Sequence, residues 1–127
     1  MNDDILHNLP PFLSELAPNA ILSGTVMRHP VSGHARIRAV IGAVGTLYTS
    51  QQHLSHVTSD AHEFIEYEAE LAGGQKVRAI VAVTRNREGQ VTQVNVGHGP
   101  LDGALELSMR LHELLEAAEP GLFLGRK

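Results

Sequence analysis

The chain contains no cysteine. That removes a disulfide framework, thiolate metal sites and a thiol nucleophile, and leaves the redox compartment open. Aromatic residues amount to only 4%, and neither sign of charge gathers into a block: 10 Lys and Arg against 14 Asp and Glu give a formal charge of -4. The basic footprint of a nucleic-acid binder is therefore missing, and no nucleic-acid partner is expected. No apolar run is long enough to span a bilayer, and Asp3 and Asp4 stand where a secretory signal would carry bases. Membrane and secretory roles are disfavoured and a cytoplasmic location is the expectation. What is present is ordinary for a folded protein: 127 residues, 43% hydrophobic and 19% charged. A chain of this size can bury well over half of its extended surface, so one domain over residues 1–127 is expected.

Period and punctuation give the order of elements. Asp3 or Asp4 can cap a helical turn over Ile5 to Leu9, and Pro11 suits the start of a second ending near Leu16, closed by Pro18 and Asn19. Residues 20–28 read as a first strand, leading into a loop marked by Pro30 and Gly33. From His34 the period changes: Ile37, Val40, Ile41, Val44 and Leu47 lie on one helical stripe, interrupted by Gly42 and Gly45. Glycine inside a helix points to something that packs closely.

After Thr49 the chain reads as strands. Residues 52–58 form a weak one. Residues 63–71 alternate, with Ile65, Tyr67, Ala69 and Leu71 on one face and Glu66, Glu68 and Glu70 on the other. A Gly73-Gly74 turn leads to residues 76–84, whose run from Val77 to Val83 is apolar on both faces, and Gly89 turns the chain into residues 90–98. The result is an antiparallel meander, followed by a helix over residues 101–118 that Pro120 stops.

A strand, a Pro/Gly loop, an amphipathic helix and a long meander is an order that resembles the nuclear transport factor 2-like superfamily. The segment HPVSGHARIRAVIGAV is similar to that family's stretch around its main helix, and REGQVTQVNVGHGP to its last strand and following proline. The resemblance covers about residues 11 to 101. It implies an α+β fold of the cystatin-like, SnoaL-like kind, in which a strongly curved, mostly antiparallel sheet wraps around a helix and leaves an apolar pocket. The C-terminal helix is extra, and it, or a partner's copy of it, is expected to cover what a short N-terminal part leaves open.

The same resemblance allows known chemistries to be tested position by position. A ketosteroid isomerase needs a carboxylate base and a protonated acid, and the matching positions are Gly24 and Ala82. A limonene epoxide hydrolase needs an Asp-Arg-Asp set, and the matching positions are Tyr67, Ala69 and Val96. Neither constellation is present.

Histidine remains, with eight in the chain. Val94, Val96 and His98 share a strand face, so His98 becomes the candidate catalytic or ligand-contacting residue if Val96 faces the cone; the alternative is a strand-end histidine bonded to nearby backbone. Arg78 shares its face with Ile80 and Ala82 and is a candidate ligand contact if Ala82 faces inward, with pairing to a glutamate as the alternative. Tyr48 and Tyr67 are candidate hydrogen-bond donors to a ligand oxygen. His53 and His56, three apart on an extended strand, face opposite sides and do not suggest a metal unless the strand bulges. No metal and no cofactor are expected. The function these residues imply is binding of a small hydrophobic molecule by Tyr48, Tyr67, Arg78, Ala82, Val96 and His98, with isomerase, cyclase, dehydratase or hydrolase chemistry as the range the resemblance implies. The alternative is a non-catalytic homodimeric association domain, in which a partner covers the second apolar face of Val77 to Val83.

Overall fold

A computed structural model describes residues 10–126 of the chain. The capping of Ile5 to Leu9 by Asp3 or Asp4 lies outside the described residues. Pro11–Glu15 forms a short 3₁₀ turn that buries Phe12 and Leu13. The first strand, β1, is Leu16–Gly24, earlier than the expected residues 20–28, and Pro18 and Asn19 lie within it rather than closing a helix. The neighbouring strand explains why proline is tolerated there. β2 is only Val31–Ser32 and pairs with Ile21 and Leu22, so the residues before Ile21 need no donor on that side.

The expected helix is α1, His34–Leu47, with Ile37 and Val40 buried and Ile41, Val44 and Leu47 packed against the core from its flank. Four strands follow: β3 Tyr48–Ser59, β4 His62–Leu71, β5 Lys76–Arg85 and β6 Val91–Gly99. They form the predicted antiparallel meander, and β6 then lies parallel to β1, giving a curved, open sheet of six strands in the order β2-β1-β6-β5-β4-β3. Two turns show why their residues are there. Gly73 and Gly74 both take positive φ, a conformation that a side chain resists. The Asn86 side-chain oxygen accepts from the backbone N–H groups of Glu88 and Gln90, holding the turn between β5 and β6.

The burial pattern sets two faces. Ile65, Tyr67, Ala69 and Leu71 of β4 and Val77, Ala79, Val81 and Val83 of β5 are buried on the concave side, against α1 and the C-terminal part of the chain. The long edge strand β3 is half-buried at Tyr48 and exposed from there to its end.

The final helix, α2, is Leu101–Leu115 and packs on the sheet and on α1, burying Leu107 and Leu111 completely. Gly103 lets it approach closely, since a Cβ there would lie 2.6 Å from the carbonyl oxygen of Lys76. The last segment turns back onto the body with Leu122 and Phe123 buried. It is held by the Ser108 hydroxyl, which accepts from the Leu124 N–H and donates to the Val26 carbonyl. A two-pronged contact from Arg36 to Glu119 ties this segment to α1, and the guanidinium holds that carboxyl below its ordinary pKa. Among the described residues, no helix is long and apolar enough to cross a membrane.

Candidate functional site

The concave face of the sheet and the inner stripe of α1 enclose a cavity of about 70 Å³. Leu22 and Val26 from β1 and its following loop, Val40, Ile41 and Val44 from α1, Val81 from β5 and Val96 from β6 make its walls. Phe12, from the 3₁₀ turn, lines it as well. Gly45, one of the two glycines of α1, lines the cavity. Gly24 does so as well, and a Cβ on it would sit 2.7 Å from the carbonyl oxygen of Val96 on the paired strand.

Three polar side chains enter this apolar space and bond to one another. The Tyr48 hydroxyl lies 2.8 Å from the Tyr67 hydroxyl and 3.2 Å from Nε2 of His98. The two tyrosine rings meet edge to face at 5.7 Å, and the His98 backbone N–H donates to the Thr25 hydroxyl at 2.9 Å, so the group is held from several directions. The chain of hydrogen bonds can run either way. His98 can donate from Nε2 toward Tyr48 and on to Tyr67, or Tyr67 can donate to Tyr48 and on to an unprotonated Nε2. The other ring nitrogen, Nδ1, is buried and has no partner.

Burial decides the charge of this group. It lowers the His98 pKa to about 4, because an imidazolium would lose its water here. Burial, reinforced by the neighbouring Tyr67, raises the Tyr48 pKa, and burial raises that of Tyr67 against the opposing hydrogen bond from Tyr48. All three groups are neutral at pH 7. Among the described residues that line the cavity there is no carboxylate.

Of the residues expected from sequence, Tyr48, Tyr67, Val96 and His98 are brought together. Arg78 and Ala82 are not. The pairing of Glu68 with Arg78 and of Phe64 with Ala82 puts both on the convex face, where Arg78 is 55% exposed and its Nε lies 2.8 Å from a carboxylate oxygen of Glu66. The inward residues of that strand are Val81 and its neighbours of the same parity, so the second ketosteroid isomerase position is apolar whichever residue is matched to it. Residues that sequence reasoning missed include Val81, Met27 and Gln51, which lines the cavity from the exposed edge strand. Val81 could have been found by counting pairs back across the hairpin from Ala69, which is opposite Val77.

The histidine spacing on β3 also resolves differently from a regular strand. A register shift between His53 and Ser55 puts His53 opposite Tyr67 and His56 opposite Ile65, so both face the concave side. His53 stacks edge-on near Tyr67, and His56 Nε2 is 2.6 Å from Glu63, which also receives Arg85. Among the described residues no cluster of three or more His, Cys, Asp or Glu side chains could hold a metal ion. α2, expected to cover the pocket, is attached to the sheet but does not line the cavity. It borders instead a separate surface groove of about 510 Å³ that includes Met27, His98, Leu101, Ala104 and Leu105.

The sequence matches no protein-family profile, and no curated protein is similar to it. Solved structures are similar. One is an uncharacterized bacterial protein with a cystatin-like fold from Silicibacter pomeroyi, with 15% identity, a TM-score of 0.78, and 92% of this chain and 79% of that one covered. A steroid delta-isomerase from Pseudomonas aeruginosa shares 17% identity at a TM-score of 0.78, covering 89% of this chain and 84% of that one. A hypothetical protein with a ketosteroid isomerase-like fold from Catenulispora acidiphila, in complex with trimethylamine, shares 14% identity at a TM-score of 0.56, covering 76% and 78%. Other similar structures are NTF2-like and SnoaL-like proteins. At these identities the likeness shows the fold alone: a cystatin-like fold with a curved, open sheet.

Proposed function

We propose that this chain binds a small, neutral, mainly apolar molecule carrying one hydrogen-bonding group, in the cone under α1. The observation that carries this reading is the buried chain Tyr67, Tyr48 and His98, the polar handle of an otherwise apolar cavity. A few placed polar groups among apolar walls are what a small-molecule site needs to fix orientation. A Catenulispora protein of the same fold is in complex with trimethylamine, which supports a small ligand for a protein of this fold.

Binding is better supported than proton abstraction. A general base works best with a pKa near the working pH, and His98 at about 4 is too weakly basic to take a proton from carbon at pH 7. Its role in this reading is to accept or donate a hydrogen bond, as are those of the two tyrosines. The test is an NMR titration with butan-2-one. Amide shifts should concentrate at Tyr48, Tyr67, Val96 and His98, and Tyr48→Phe should weaken binding about tenfold, the worth of one hydrogen bond to a neutral partner. Shifts scattered over the surface, or equal affinity in the variant, would refute it. For catalysis, His98→Ala is the corresponding test once a turnover assay exists, and unchanged turnover would remove this residue from any mechanism.

A second reading concerns the convex face. Val57, Phe64 and Ala82 are paired in one row across the sheet, with Ile80 beside them, and Val57, Phe64 and Ile80 are 55%, 41% and 54% exposed. This apolar row favours a homodimer in which a second copy covers it. Sedimentation at micromolar concentration should give twice the chain mass, and Phe64→Glu should halve it. A wild-type monomer would exclude the dimer.

A further inference from the structure

The cone is too small to be the whole of an ordinary ligand site. Its volume of about 70 Å³ compares with roughly 300–1,000 Å³ for typical small-molecule pockets, and an engineered cavity of about 150 Å³ is what accepts benzene. The groove bordered by α2 supplies the missing room, at about 510 Å³. The two spaces share a wall: Val26, Met27 and His98 line both. They are therefore adjacent compartments with a common partition rather than separate features.

Two parts of that partition, Met27 and His98, suit a passage. Met27 is half-buried and unbranched, the kind of side chain that re-packs with little strain. His98 has committed Nε2 to Tyr48 on the cone side, and in an imidazole ring the second nitrogen points away from the first one's partner. Nδ1 therefore faces away from the tyrosine pair and is buried with its hydrogen bond unmade. An unmet polar atom of this kind costs free energy that a ligand group can recover. Beyond it, Leu101, Ala104, Leu105 and Ser108 of α2 follow the i, i+3, i+4, i+7 spacing of one helical face along the groove. Leu101 is 71% exposed and Leu105 is 40% exposed, so the face is apolar and open.

We propose that cone and groove form one divided site for an elongated apolar molecule. Its small neutral end sits in the cone with its polar group on the Tyr48, Tyr67 and His98 chain, and its hydrocarbon stem runs through the partition past a displaced Met27 along the Leu101 and Leu105 face. The proposal rests on the cone being a binding site. It adds the length of the ligand, its direction and the segment of the chain that reads it. It also gives a role to α2, which packs on the body without touching the cone.

The experiment is a chain-length series of methyl ketones from butan-2-one to dodecan-2-one, titrated into wild type, Leu105→Glu and Leu101→Glu. Both substituted leucines are exposed, so the fold tolerates the change. In wild type, affinity should rise about threefold to fourfold per added methylene until the groove is filled, which is the worth of burying one methylene. In both variants the rise should flatten while butan-2-one still shifts the cone residues. Affinity that is independent of length, or that rises equally in all three proteins, would overturn the divided site and leave the cone reading standing. Binding by no member of the series would overturn both.

Discussion

Phe64 and Ile65 are neighbours on β4, yet one is 41% exposed on the convex face and the other 8% exposed on the concave face. The same division runs across β5, where Ile80 is 54% exposed beside Val81 at 7%. Each face of this sheet carries apolar side chains, and the described residues cover only one. Apolar character alone therefore does not say which side is the interior. The concave side is distinguished by what packs against it, namely α1, α2 and the C-terminal segment, and it is the side that holds the buried polar chain.

The comparison can be broken most strongly by charge. Val83→Asp places a carboxylate at a fully buried concave position and should cost more than about 4 kcal/mol, whereas Ile80→Asp on the convex side should change monomer stability by less than about 0.5 kcal/mol. Urea unfolding of the two variants checks this, and equal losses would mean that the faces are not different. Size gives the next test. Ile65→Ala should cost about 3–4 kcal/mol by leaving a void, and Phe64→Ala under about 1 kcal/mol in the monomer.

Acid sharpens the contrast further. The His98 pKa is lowered on folding, to about 4 from an ordinary 6.5, so the unfolded chain binds the proton more readily over that interval. The histidine makes no difference above pH 6.5. As pH falls from there to about 4 it destabilises the fold progressively, on the order of 3 kcal/mol in total, and the effect then levels off. Unfolding curves measured from pH 7 to pH 4 should lose this slope in His98→Gln. A slope that persists in the variant would assign it to other groups. The smallest effect on the concave side is expected from Tyr48→Phe, which leaves the Tyr67 hydroxyl and His98 Nε2 without the partner between them, at a cost of about 1–2 kcal/mol in thermal or urea unfolding.

How far the fold was legible follows from the same two faces. β4 alternates apolar and acidic residues, so its period of two announced both the strand and the inward side, and Tyr67 was correctly placed. α1 was equally plain from its stripe. β5 is apolar at every position from Ala79 to Val83, and that run by itself contains no information about direction. The inward reading of Arg78 is conditional on Ala82, which only the match to an isomerase position turns inward, whereas the wet face of β4, carried across the hairpin, places Arg78 beside Glu68. The bulge that brings His53 and His56 to one side has no glycine or proline to announce it, and it was invisible in the residues. In the site, Tyr48, Val96 and His98 were reachable from strand period and the position of the helix end. The hydrogen bonds that unite them depend on distances across three strands, which no local pattern encodes.

The tight contact at Gly24 bears on how this scaffold can change. At Gly24, which the resemblance matches to the base of a ketosteroid isomerase, the backbone oxygen of the adjoining parallel strand already occupies the volume of any Cβ. Installing an aspartate would require β1 and β6 to separate, so the route from this protein to carbanion chemistry is not a single codon change. It would begin with a shift of the main chain, and a substitution at residue 24 alone should yield a misfolded product before it yields a new catalyst.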